Sequence, residues 1–265
     1  MQKQILLLGG SSEAFTLAQS LEQHPRFKVI SSLAGRTSLP RKPVGTYRTG
    51  GFGGLDGLIT YLQTNAIEAI IDATHPFATK MSHTAHQAAL ATNTPILHLW
   101  RPAWQKTPDD TWIEVGTMQE AATALQTKLS PVFLTIGRLE LAPFLSRPDI
   151  DFLVRAIEPP KKSEQKNQSP PQSQEQEGQE QDWPTNFSFI YAKGPFNQSQ
   201  ERELIEKHNI KTIVTKNSGG PAAHAKLEVA RNLKLPVIMV NRPPKPNGPT
   251  VATIDEAINW LEKTL

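Results

Sequence analysis

Ala69-Ile70-Ile71-Asp72-Ala73-Thr74-His75-Pro76-Phe77-Ala78 decides how this 265-residue chain is read: an apolar run ends abruptly in polar and imidazole groups, and a proline follows. A short unbroken apolar run suits a strand buried on both faces, as in a parallel sheet covered by helices. Ligands of such sheets bind in the crevice outside the carboxyl ends of the strands, which places Asp72, Thr74 and His75 at a site. Ten residues of this kind also fit an ordinary strand-to-turn transition, so the flanking sequence has to decide.

That sequence alternates β-rich runs with helical patterns. Strands are expected at Gln4 to Leu8, Phe27 to Leu33, Thr46 to Thr49, Ile67 to Asp72 and Pro95 to Leu99, with helices over Glu13 to Glu22, Leu55 to Gln63 and Ala78 to Ala91. Repeated βαβ units imply a parallel sheet with helices on both faces. After Arg101-Pro102-Ala103-Trp104 a polar, proline-containing stretch from Lys106 to Asp110 interrupts the pattern, which then restarts. Strands follow at Trp112 to Val115, Val132 to Ile136, Phe152 to Ala156, Phe187 to Ala192, Thr212 to Thr215 and Val237 to Val240. Helices are expected over Met118 to Lys128, Gln198 to His208, Ala222 to Asn232 and Ile254 to Thr264. The predicted fold class is α/β: two Rossmann-like domains, residues 1–104 and 105–265, each a parallel sheet flanked by helices, with a cofactor cleft between them. Residues 161–185 are rich in Gln, Glu, Ser and Pro and almost devoid of apolar side chains, so a disordered insert is expected there.

Composition narrows the chemistry. There is no cysteine, which excludes disulfides, thiolate metal sites and thiol catalysis. The apolar stretch of MQKQILLLGG is too short for a secretory or membrane segment, and a cytoplasmic protein is expected. The net charge is +3, and without residues 161–183 the chain carries 25 basic against 20 acidic residues. The cations are scattered rather than clustered, so the pattern fits an anionic small molecule better than nucleic acid.

Leu8-Gly9-Gly10-Ser11-Ser12-Glu13 reads as a strand end, a glycine turn and a helix start, where free backbone N–H groups attract an anion. At the end of the second strand, where an acidic residue would hold the ribose of NAD, the chain has Ala34-Gly35-Arg36-Thr37. A guanidinium there suits a 2′-phosphate, so NADPH is the expected cofactor. Gly50-Gly51-Phe52-Gly53-Gly54 follows the third strand and permits close approach of a flat or phosphorylated ligand. In the second half Thr135-Ile136-Gly137-Arg138, Lys193-Gly194-Pro195-Phe196 and Lys216-Asn217-Ser218-Gly219-Gly220 all fall at strand ends. Arg138, Lys193 and Lys216 are therefore candidate partners for a substrate with several carboxylates. His83 and His86 sit three apart near His75 without a further ligand at metal spacing, so no metal site is expected. No Ser/His/Asp order and no paired acid–base carboxylates can be assigned.

Taken in order, GGSSEA (9–14), AGRT (34–37), GGFGG (50–54), DATHPFA (72–78), RPAW (101–104), TIGR (135–138), KGPF (193–196), KNSGG (216–220) and PVIMVNRP (236–243) resemble the precorrin-6A reductase family, cobalt-precorrin-6A reductases included. The resemblance implies NADPH-dependent reduction of one double bond of a polycarboxylated tetrapyrrole on the route to cobalamin. By motif match, Gly9, Gly10, Ser11, Ser12, Arg36 and Thr37 would bind the cofactor. Gly51, Phe52, Gly53, Thr74, His75, Pro76 and Phe77 would flank it nearer the nicotinamide, and Lys216, Asn217, Ser218 and Gly219 would face it and the substrate from the second domain. The Gln-rich insert is the main departure from the family pattern. Hydride chemistry belongs to such a cofactor, which explains the missing nucleophile. His75, Lys216 and water all remain open as the proton source, and neither the oligomeric state nor the substrate's cobalt content is legible. A non-catalytic protein that senses NADP or binds a tetrapyrrole is the alternative, since no obligatory acid or base is visible.

Overall fold

A computed structural model describes residues 2–35, 41–159 and 183–265. In chain order the first elements are β1 (Lys3–Leu8), α1 (Ser12–Leu21), β2 (Phe27–Leu33), β3 (Thr46–Thr49), α2 (Leu55–Thr64), β4 (Ala69–Asp72), α3 (Thr79–Thr92) and β5 (Ile96–Leu99). They are followed by β6 (Trp112–Val115), α4 (Met118–Ala124), β7 (Val132–Leu134), β8 (Phe152–Ala156) and β9 (Phe187–Tyr191). Then come α5 (Gln198–Lys207), β10 (Thr212–Lys216), α6 (Ala225–Asn232), β11 (Val237–Val240), β12 (Thr250–Val251) and α7 (Ile254–Thr264). The strands form two six-stranded sheets, ordered β12-β5-β4-β1-β2-β3 and β6-β11-β10-β7-β8-β9, and every ladder is parallel.

Alternation along β1 builds two layers at once. Ile5 and Leu7 cluster with Leu17 and Leu21 of α1 and with Ala257 and Leu261 of α7, while Leu6 and Leu8 cluster with Leu58 and Leu62 of α2 and Ala85 and Ala88 of α3. Each such side chain stabilises the fold by about 1.5–3 kcal/mol when fully buried, so one strand anchors helices on both faces. In the second sheet Phe133, Leu153, Ile213, Val237 and Met239 cluster with Ile205 of α5 and Leu227 and Ala230 of α6. Side-chain caps start the helices: Ser11 on α1, Thr117 on α4, and full capping boxes Asn197–Gln200 on α5 and Thr253–Glu256 on α7.

The chain divides into two compact units, one running to Pro102 and resuming over Pro243–Leu265, the other Ala103–Arg242. This corrects the expectation that all of 105–265 forms the second domain. Thr250 and Val251 pair with His98 and Leu99 of β5, and α7 buries Ala257 and Leu261 in the first unit's core. A two-residue strand has no readable period, and an amphipathic helix shows that it covers a sheet without showing which one. The two sheets share one order. Around β1 and around β7 the strands run third, second, first, fourth, fifth, sixth, but each sixth place is taken by the strand that follows the other sheet's fifth: β6 follows β5, and β12 follows β11.

Two local expectations also change. The helix expected to Lys128 stops at Ala124, with Leu125 extended and a separate 3-10 turn at Thr127–Leu129. Arg147 Nη1 donates to the carbonyls of Ala122 and Leu125 at 2.7 and 2.9 Å, satisfying acceptors that a longer helix would have used. The disordered insert expected at 161–185 lies outside the described residues up to 182. At 183 the chain is ordered, with the Trp183 ring 5.5 Å from Phe187 and 5.2 Å from Phe189.

Candidate functional site

The strand order of the first sheet reverses between β1 and β4, and the glycine turn lies there. Gly9 is held close to α1: a Cβ at this position would stand 3.2 Å from Ala14 Cβ. Gly10 has φ +111 with open space where a side chain would be, a backbone that L residues rarely adopt. Ser11 joins the two strands and the helix, since its hydroxyl donates to Ala73 O at 2.6 Å and accepts from Ala14 N at 3.1 Å. The turn therefore presents the first N–H groups of a ten-residue helix at a topological switch point, the arrangement that receives a dinucleotide phosphate.

Beside it lies the second glycine loop. Arg48, at the end of β3, donates to Ser32 Oγ at 2.8 Å, Gly50 O at 3.0 Å and Gly51 O at 2.8 Å, and its guanidinium lies 3.9 Å from the Phe52 ring centroid. One cation thus shapes the whole loop. Gly57 is also obligatory, because a Cβ there would meet Phe52 O at 1.7 Å. Arg36 and Thr37, expected to bind the cofactor, lie outside the described residues.

A small pocket opens beyond the ends of β4 and β5, lined among others by Thr74, His75, Ser82, His98, Trp100 and Lys245. Asp72 is buried at its base. Its Oδ1 accepts from Thr74 N at 3.1 Å and Thr74 Oγ1 at 2.7 Å, and its Oδ2 pairs with His98 Nδ1 at 3.0 Å. Burial pushes the Asp72 carboxyl up, but hydrogen bonds from His98, Ser82 and Thr74 outweigh it and hold the group below the usual aspartate range. His75 is exposed, and its Nδ1 accepts from Phe77 N at 3.2 Å in the turn with Pro76.

In the second unit the corresponding switch point lies between β7 and β10, and Gly137, Arg138 and the 216–220 loop gather at those strand ends. Asn217 is buried and bonds both polar atoms to the Trp104 backbone, accepting from N at 2.8 Å and donating to O at 3.0 Å. Trp104 Nε1 donates to Gly220 O at 2.9 Å, while Arg242 donates to Asn217 O at 2.7 Å and Ser218 O at 2.9 Å. Arg138 is buried beside Glu158 at 3.7 Å, and Lys216 is paired with Glu140. Lys193 is exposed.

The described sequence-expected groups thus fall into two sets. Gly9, Gly10, Ser11, Ser12, Gly51, Phe52, Gly53 and Thr74 to Phe77 all occur at carboxyl ends of strands in the first sheet or in the loops and helix starts that follow them. Arg138, Lys193, Lys216, Asn217, Ser218 and Gly219 occur at strand ends of the second, and Arg138 and Lys216 already have carboxylate partners. Three residues that sequence reasoning missed are Arg48, His98 and Trp104. Among the described residues no three metal-ligating side chains converge, and no helix is long and apolar enough to cross a membrane.

Strand order, glycine turn and helix start together define a doubly wound α/β protein of the dinucleotide-binding type. The family model described as precorrin-6x reductase CbiJ/CobK matches residues 4–262. The chain belongs to that family. It is 40% identical over 260 residues to a precorrin-6A reductase of Rhodococcus erythropolis, covering 97% of this chain and 96% of that one. It is 26% identical to a cobalt-precorrin-6A reductase of Priestia megaterium, covering 97% of both. A solved structure described as CobK precorrin-6A reductase superposes with TM-score 0.88 at 34% identity, over 99% of this chain and 97% of that one.

Proposed function

We propose that this chain reduces one double bond of precorrin-6A with NADPH, in the corrin-ring stage of cobalamin biosynthesis. The observation that carries this reading is the unobstructed Gly9–Ser12 turn at the switch point of the first sheet, in a chain that matches the reductase family from residue 4 to 262. The turn fits a cofactor phosphate, because Gly10 leaves open space and Ser11 caps the helix without occupying it. In this reading Gly9 to Ser12 hold the pyrophosphate, Arg36 and Thr37 the 2′-phosphate, and Gly51 to Gly53 with Thr74 to Phe77 flank the nicotinamide end.

The bound cofactor supplies the hydride; the protein orients the reactants, excludes water and provides a proton from His75, Lys216 or a water held there. Lys193 is the directly exposed cation for a substrate carboxylate, and Arg138 and Lys216 engage one by exchanging Glu158 and Glu140. Asn217 acts by fixing the loop that carries Ser218 and Gly219. The higher identity to relatives named for precorrin-6A, 40% against 26% for the cobalt-precorrin-6A reductase of P. megaterium, supports the cobalt-free substrate.

The test is incubation of the protein with precorrin-6A and NADPH. Loss of the reduced-nicotinamide absorbance with gain of two hydrogens by the tetrapyrrole is expected, faster than with the cobalt form. Binding without oxidation would make the protein a sensor or carrier instead. Arg36→Ala should weaken NADPH binding by about 1.5–3 kcal/mol and leave NADH binding unchanged, as measured by calorimetry.

A further inference from the structure

Lys226, in the first turn of α6, is a buried amine that the proposed function does not use. As an ammonium it has three N–H groups and, among the described residues, one hydrogen-bond acceptor, Ala223 O at 2.7 Å. The ring of Trp104 lies against it, with 5.2 Å from Nζ to the centroid. The other charged groups around it are already paired. Arg155 of β8 gives two bonds to Glu201 of α5 at 2.8 and 3.0 Å, and His224 meets Glu228 at 2.9 Å across the start of α6. A neutral amine fits such a place, and a charged one is short of partners. Burial, aided by Arg155 and opposed by Glu201, accordingly brings the pKa down from 10.5 to about 7.

What Lys226 touches gives it leverage on the loop that follows β10. Ala223 O belongs to the 3-10 turn Pro221–Ala223, which leads from that loop into α6. Trp104 is tied to both ends of the loop, through its backbone to the Asn217 side chain at 2.8 and 3.0 Å and through Nε1 to Gly220 O at 2.9 Å. Ser218 and Gly219 lie between those two ties, while the indole and the turn both lie against the Lys226 head group.

We propose that Lys226 is a positioning residue for the substrate loop: uncharged, it keeps Trp104 and the Pro221–Ala223 turn packed so that Ser218 and Gly219 are set for the tetrapyrrole, and proton uptake by its amine loosens them. This rests on the assignment of Ser218 and Gly219 to the substrate under the proposed function. A charge formed beneath the indole has to be solvated. Attraction to the ring face offsets part of that cost, and water has to supply the rest. The space for water comes from the turn, because the opposite side of the cluster is fixed: the Arg155 guanidinium is stacked 4.9 Å from the Phe133 centroid and 4.0 Å from that of Phe196, and Glu201 is held by it.

The experiment uses the full chain without ligand, labelled with ¹⁵N at tryptophan, and follows the Trp104 Nε1–H resonance, assigned with Trp104→Phe, across a pH range spanning the Lys226 pKa. The expected result is one transition centred near pH 7. It should vanish in Lys226→Met, which stays neutral, and Lys226→Arg should hold the low-pH resonance position throughout. Lys226→Met should fold at least as well as wild type, so the test does not depend on how the arginine is accommodated. Histidines change charge in the same range, and the ring of His224 lies 6.0 Å from that of Trp104, so His224→Gln is the control that the transition should survive. In turnover of precorrin-6A with NADPH, KM should rise about 5-fold on the acid side of the transition in wild type relative to Lys226→Met, with kcat changed much less. Comparing the two proteins cancels the titration of the substrate carboxylates. A purely structural lysine would alter stability and leave the two KM profiles parallel. A resonance that titrates in Lys226→Met as in wild type, or in neither, overturns the proposal, and so do parallel KM profiles beside a normal transition. Absence of any precorrin-6A binding or turnover defeats the functional reading instead, and the indole transition still decides whether Lys226 governs the loop.

Discussion

The two switch points are built on one strand order and finished in opposite ways. At the second, between β7 and β10, polar groups are spent on one another: Asn217 on Trp104, Arg242 on the loop carbonyls, Lys216 on Glu140, Arg138 against Glu158. At the first, between β1 and β4, Ser11 and the bond from Gly9 N to Ser32 O hold the turn, and Gly10, which faces open space as Gly137 does at the second, leads into a ten-residue helix rather than a three-residue 3-10 turn. Equal topology does not make equal sites. In the reading proposed above, the first backbone N–H groups of α1 are the unused capacity that a cofactor phosphate would take up.

Substitutions should separate the two halves accordingly. The largest effect is expected deep in the second unit, where Arg155 bonds Glu201 in bidentate fashion at 2.8 and 3.0 Å and Glu201 is almost fully buried. Glu201→Ala leaves a buried guanidinium uncompensated and should cost about 3–5 kcal/mol in urea unfolding. Asn217→Ala removes both bonds to Trp104 and should cost about 2–3 kcal/mol, with little change in NADP⁺ affinity. A large loss of affinity there would break the comparison by showing that the second switch point also serves the cofactor. Ser11→Ala should cost about 1–2 kcal/mol of stability through the lost cap, and it should weaken NADP⁺ binding as well. Stability loss alone would reduce Ser11 to a structural stitch.

The one stabilising substitution concerns Lys226 of α6. Its ammonium donates to Ala223 O at 2.7 Å, and burial, helped by Arg155 and opposed by Glu201, pushes its pKa from 10.5 down to about 7. Between those two values the unfolded chain binds a proton that the folded chain does not, so stability should rise with pH across the window and carry the full penalty below it. Lys226→Met should raise stability at pH 7 and flatten that rise in urea melts taken from pH 6.5 to 10.

The strands were legible because sheets buried on both faces leave unbroken apolar runs, as at Ile5 to Leu8 and Ala69 to Ile71, and the glycine turns were legible because glycine is visible punctuation. His98 was not. Inside Ile96-Leu97-His98-Leu99 it reads as one polar residue in a core strand, and only the register that sets Asp72 opposite His98 reveals the pair. Arg48 failed for the same reason, since its targets, Ser32 and the Gly50 and Gly51 carbonyls, are set by the pairing of β3 with β2 and by the turn after it. Arg138 and Lys216 were read correctly as strand-end cations, but composition does not show that each already meets a carboxylate.

The exchange of sixth strands has a consequence for how the molecule is made. The second sheet uses β6 through β11, a continuous stretch of chain, and has all its strands once Val240 has left the ribosome. The first sheet keeps an open edge at β5 until Thr250 and Val251 arrive, and its outer helix layer is incomplete until α7 follows. An unpaired parallel edge is a template for stray strands, and domains that fold during synthesis run that hazard for as long as the partner is missing. The unit that supplies β1 is therefore completed after the unit that follows it, and β12 with α7 act as its closing stitch.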